Sequence, residues 1–97
     1  MEQKMMEHNE QELEECLYEI CLWLKRILPN GYQARVMQTP KDNLVRFRNS
    51  LGHMLKGSCL QDGRQLPDLF IRRDIMNVDD MAHIVIERFH DYLLNEV

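Results

Sequence analysis

Glycine and proline are scarce in this 97-residue chain, four and three respectively. So little punctuation argues against many short strands joined by tight turns and leaves a few long helices. No apolar run reaches the roughly 18 residues that a membrane-spanning helix needs. Cysteine is sparse too, and its number, three, is odd. Cys16, Cys21 and Cys59 form no paired framework, and no apolar signal segment opens the chain. The expected setting is therefore the reducing interior of a cell, cytoplasm or nucleus. Gly52, Gly57 and Gly63 have the wrong spacing for either nucleotide phosphate loop. Ser50 and Ser58 lack a Gly-x-Ser-x-Gly frame. There is no internal repeat and no low-complexity tract.

What the chain does have is segregated charge. Residues 1–20 carry seven acids against Lys4, a net of −6, and residues 21–74 carry ten bases against four acids, a net of +6. Residues 75–97 carry five acids against Arg88, a net of −4, which completes the overall −4. An acidic start and an acidic end thus flank a basic middle. Such a pattern either closes on itself within the chain or meets a partner. The apolar share of 44% and charged share of 29% belong to a globular protein with one core.

The periodicity is helical throughout. Residues 1–9 are polar apart from three methionines, and a flexible N-terminal segment is expected there, ahead of a single domain over 10–97. Leu13, Leu17, Ile20, Leu24, Ile27 and Leu28 predict a helix over 10–28, stopped by Pro29-Asn30-Gly31. Residues 32–38 read as an irregular connection with Val36 or Met37 tucked inward. Thr39 as N-cap, Pro40 at N1 and Asp42 at N3 open a helix over 40–56, with Leu44, Phe47, Leu51, Met54 and Leu55 on its apolar face and Gly57 as a left-handed C′ residue. Pro67 opens a short helix over 67–75. Asn77 caps a last helix with Asp79 and Asp80 in its first turn and a stripe of Met81, Ala82, Val85, Phe89, Tyr92 and Leu93. The fold class is all-α, a small bundle of three long helices plus one short.

Chemistry-bearing clusters are thin. His83, Glu87 and His90 share one helix face, and Glu87-x-x-His90 matches the unit of di-metal bundles. A second such unit is missing, and the trio lies opposite the apolar stripe, so it reads as a solvated face. Cys16 and Cys21 diverge around the helix, and Cys59 has no orienting partner. No catalytic residue, metal or cofactor is expected, and the chain is read as non-enzymatic.

Two surfaces remain. Helix one carries Leu22 and Trp23 away from its main stripe, and the last helix carries Ile84 and Ile86 beside its own. A bundle wrapping both sides of each helix would absorb them. Alternatively, self-association or a partner helix would cover them. The second reading makes Leu22, Trp23, Ile84 and Ile86 the partner-binding residues of a non-catalytic, self-associating interaction domain in an intracellular regulatory assembly. The alternative is nucleic-acid binding through the outer face of helix 40–56. There Arg46, Asn49, Ser50, His53 and Lys56 line up, with Arg72 and Arg73, and also Lys41 and Arg64, as phosphate contacts. Against it stand an acidic domain and a ten-residue connection too long for a helix-turn-helix.

Overall fold

The computed structural model describes the backbone of residues 2–96 and the side chains of residues 10–96. Five helices make up the described chain: α1 (Glu2–Ile27), α2 (Asn30–Gln38), α3 (41–56), α4 (Gln65–Ile71) and α5 (Val78–Glu96). The all-α class is as expected. The helix count is higher by one, because the segment read as a loop is α2. The side chains of the segment expected to be flexible, 1–9, lie outside the described residues; its backbone from Glu2 is part of α1.

The physical reason for the extra helix lies at Pro29. Its φ of −59° and ψ of 148° make it the N-cap of α2 rather than a chain breaker. Asn30 and Gly31 then enter the helix instead of a left-handed turn. Leu28 and Pro29 are all that join α1 to α2. The end of α1 leaves backbone carbonyls without helical partners. Buried Gln33 meets two of them: its Nε2 donates to the carbonyls of Lys25 and Leu28, both at 2.8 Å. The ten-residue connection argued from the sequence does not exist.

Thr39 does not act as the expected N-cap of α3. Its hydroxyl donates backwards to the Arg35 carbonyl at 2.6 Å and its amide to Val36 O at 3.2 Å, so it closes α2. Pro40 takes the N-cap position of α3. That helix is wound unevenly, 3₁₀ over Lys41–Phe47, π over Arg48–Gly52 and α over His53–Lys56. Tight winding followed by loose winding keeps Leu44, Phe47, Leu51 and Leu55 in one buried row. Gly57 follows with φ −87°, so it is not the left-handed C′ residue anticipated. The φ of +88° falls at Gly63, in the loop before α4.

Pro67 sits inside the first turn of α4 rather than at its first position, and the helix stops earlier than expected. Ile75 N–H donates to Phe70 O at 3.0 Å and Asp74 N–H to Ile71 O at 2.9 Å, the paired bonds of a Schellman turn. Asp74 occupies its left-handed position at φ 65°. Asn77 caps α5 as the sequence predicts: its Oδ1 accepts from the amides of Asp79 at 2.8 Å and Asp80 at 3.2 Å.

α5 packs against all four other helices. This central position explains its surplus of apolar residues. Met81, Ala82, Val85, Ile86, Phe89, His90 and Leu93 are all buried, on a face too broad for a single neighbour. α1 and α5 run side by side in the same direction, with Glu14 against Arg88, Tyr18 against Tyr92 and Lys25 against Glu96. Leu13, Leu17, Cys21 and Leu24 are the core side of α1.

Candidate interaction surface

The four residues proposed from sequence for partner contact do not form one patch. Ile86 is 1% exposed and belongs to the core, which corrects its assignment: α3 and α5 cross over it. Ile84 and Trp23 are half-buried against the same core. Leu22 is exposed, at 38%. In the α1–α5 register, Ile84 lies level with the region of Glu10, about 18 Å along the axis from Leu22.

Leu22 has a companion that the sequence reading passed over. Tyr18, one turn earlier, is 57% exposed. Glu15, Tyr18, Glu19, Leu22 and Arg26 are all exposed. They fall within about 100° of arc on α1, opposite its buried row. The missed signal was the four-residue spacing of Tyr18 and Leu22.

Beside this stripe runs a groove of about 400 Å³ between α1 and α5, lined by Leu17, Tyr18, Cys21 and Tyr92 among others. Tyr18 and Tyr92 meet edge to face, with centroids 5.9 Å apart. Tyr92 OH donates to Glu96 Oε1 at 2.8 Å, and Lys25 also pairs with Glu96. That hydrogen bond, more than burial, pushes the Tyr92 phenol up to about 12. The ion pair Glu14–Arg88 borders the groove. Hydrogen bonding to Arg88 holds the Glu14 carboxyl below the usual range.

The segregated charge is partly neutralised within the chain. Lys41 pairs with Asp91 at 3.6 Å and Lys56 with Asp79 at 2.9 Å, joining α3 to α5. The acids of α1 meet a different set of bases: Arg73–Glu10 at 3.3 Å, Arg72–Glu12 at 3.9 Å and Arg88–Glu14. Exposed pairs of this kind each contribute about 0–1 kcal/mol and orient the helices more than they stabilise them.

These pairs thin out the basic face proposed for nucleic acid. Lys56, Arg72 and Arg73 are engaged with carboxylates. Ser50 is tied to Tyr32 OH at 2.8 Å. Arg46, Asn49 and His53 are exposed. Arg46 lies over the Phe47 ring at 5.9 Å and shares a cleft with Arg35, a residue of the unforeseen α2.

His90 also departs from expectation. It does not face solvent with His83 and Glu87; it is 5% exposed, and its Nε2 lies 2.9 Å from the Thr39 carbonyl. A carbonyl accepts only, so Nε2 carries the proton. Nδ1 has no hydrogen-bond partner among the described residues. His83 and Glu87 form a surface pair at 3.6 Å. Among the described residues, no group of three or more His, Cys, Asp or Glu could hold a metal ion. The cysteines are unpaired, and burial pushes the Cys21 and Cys59 thiols up to about 11 and raises that of Cys16. Thiols held protonated are poor nucleophiles and poor metal ligands. No helix among the described residues is long and apolar enough to cross a membrane.

Comparison with known protein families, with curated proteins and with solved structures finds no match to this chain.

Proposed function

We propose that this chain is a non-catalytic interaction domain that pairs with a second copy of itself through the outer stripe of α1, within an intracellular regulatory assembly. The observation that carries the reading is the order of residues along that stripe: acid at Glu15, apolar at Tyr18 and Leu22, base at Arg26, all exposed, with exposed Glu19 at the centre. Apart from Glu19, which lies beside the axis, such a stripe is complementary to itself when reversed. Take two copies related by a two-fold axis near residue 20, with their α1 helices antiparallel. Tyr18 of each copy then faces Leu22 of the other, and Glu15 faces Arg26. This is the self-matching pattern that an isologous dimer requires. Among the described residues neither Glu15 nor Arg26 has an ion-pair partner, which leaves both available for the contact.

Apolar contact at Tyr18 and Leu22 supplies affinity, while the flanking charges set register and orientation. Two apolar residues per copy make a small contact centre, so the dimer belongs to the weak, reversible class. The three free thiols fit a reducing environment. Nucleic-acid binding through α3 draws less support, because Lys56, Arg72 and Arg73 already hold carboxylates.

Sedimentation velocity over a concentration series tests the reading. The wild-type chain moves towards a dimer as concentration rises, and Leu22→Asp stays monomeric with an unchanged far-ultraviolet spectrum. A wild type that remains monomeric at millimolar concentration would sink the proposal.

A further inference from the structure

We infer that Arg35 and Arg46 form a binding cleft for a single phosphoryl group, presented as a phosphorylated side chain of a partner polypeptide. The two arginines line one cleft of about 250 Å³ at the junction of α2 and α3, together with Gln38, Thr39 and Pro40. It is a site separate from the outer stripe of α1.

Three observations carry the assignment. First, both guanidinium groups lack an ion-pair partner among the described residues. By contrast, Lys41, Lys56, Arg72, Arg73 and Arg88 each reach a carboxylate. Two uncompensated guanidinium groups lining one cleft match a phosphomonoester, which carries about −1.5 to −2 charge at neutral pH and three acceptor oxygens. A carboxylate would neutralise only one of them.

Second, the cleft is held in shape from below. Thr39 is buried, and all three of its backbone and side-chain polar groups are tied. Its hydroxyl donates to Arg35 O at 2.6 Å, its amide to Val36 O at 3.2 Å, and its carbonyl accepts from His90 Nε2 at 2.9 Å. The end of α2 that carries Arg35 is therefore anchored to α5 through Thr39, and the Arg46 guanidinium rests over the Phe47 ring at 5.9 Å. Preorganisation of this kind lowers the ordering cost of binding.

Third, the surroundings favour one charged group over a polyanion. A nucleic-acid backbone needs a track of free cations. Here the neighbouring Lys41 is paired with Asp91, and Lys56 with Asp79. Asp42 follows within a turn of Pro40. Arginine clusters that clasp one phosphoryl group are a recurrent mode of phosphopeptide recognition.

The test is an NMR titration of the full chain with phenyl phosphate, following the arginine Nε–Hε signals, with acetate and a single-stranded oligonucleotide as further arms. Saturable shifts of Arg35 and Arg46 are expected with phenyl phosphate, weakened about tenfold or more in Arg35→Gln and in Arg46→Gln and unchanged in Arg64→Gln. All three arginines are exposed, so the variants keep the wild-type fold, and their amide spectra verify it. Shifts that do not saturate would overturn the inference, as would equal binding by the Arg35→Gln and Arg46→Gln variants. Acetate binding as tightly as phenyl phosphate would overturn it in favour of a carboxylate site. Oligonucleotide binding stronger than phenyl phosphate, lost in both variants, would overturn it in favour of nucleic acid.

Discussion

Ile86→Ala separates a core role from a surface role for a residue that sequence reasoning assigned to the surface. Ile86 is 1% exposed in the packing between α3 and α5, and its Cδ1 lies 3.9 Å from where a Cβ on Gly52 would stand. The substitution removes three carbons from a closed site. At about 0.8 kcal/mol per buried methylene the transfer loss alone is about 2.4 kcal/mol, and a residual cavity raises it to about 3. Unfolding entropy near 2.1 cal/mol/K per residue gives about 0.2 kcal/mol/K for a domain of this size. The melting temperature should therefore fall by about 15 °C. Leu22→Ala, at a position 38% exposed, should cost less than about 1 kcal/mol and shift melting by only a few degrees. Thermal unfolding followed by circular dichroism, at one low protein concentration for all variants, reads both. Melting of Ile86→Ala within about 3 °C of wild type, with a larger shift in Leu22→Ala, would refute the core role of Ile86.

Three further outcomes follow from particular geometries. Asp74→Gly should stabilise the fold by about 1 kcal/mol in chemical denaturation, because a side-chain-bearing residue holds the left-handed position of the Schellman turn at φ 65°; a loss of stability would mean that the Asp74 side chain supports the turn. Gly52→Ala should stabilise by about 0.4–1 kcal/mol, since its φ is helical and an added Cβ meets nothing closer than 3.8 Å; destabilisation would show that the π-wound turn needs glycine. Tyr92 should ionise late, near about 12, because its hydroxyl donates to Glu96. A folded-state pKa raised above the ordinary 10 favours the neutral form. That contribution is complete below about 10 and is lost as pH rises towards about 12. Phenolate absorbance should therefore show a late phase that is absent in Tyr92→Phe, and its persistence there would refute the assignment.

The sequence exposed much of the fold because several of its signals are local. Asn77 followed by Asp79 and Asp80 marks a helix start without reference to anything distant, and the cap is formed. The apolar spacing of α1, α3 and α5 likewise selects the faces that are buried. What was hidden depends on contacts between segments far apart in the chain. Pro29-Asn30-Gly31 has the local chemistry of a stop, yet α2 starts there because Gln33 reaches back to cap α1 and Val36 enters the core. Thr39 has the local chemistry of an N-cap, yet its carbonyl is claimed by His90, fifty-one residues away, and its hydroxyl by α2. Ile86 looked surplus because a single-neighbour stripe was assumed for a helix that has four neighbours. At the proposed interaction surface Leu22 was legible from its position opposite the core row. Tyr18 was overlooked, and the Arg35–Arg46 cleft was invisible without α2.

The proposed pairing of two copies through antiparallel α1 stripes is open to a charge-exchange series under sedimentation equilibrium. Glu15→Arg places like charges opposite Arg26 twice in each dimer, and Arg26→Glu does the same opposite Glu15. Each alone should weaken association about ten- to thirtyfold, since two surface pairs turn from attraction to repulsion. The double variant Glu15→Arg with Arg26→Glu restores both pairs with reversed sign and should return association to near the wild-type level. Single variants that associate as well as wild type, or a double variant weaker than either single one, would contradict the antiparallel pairing of α1.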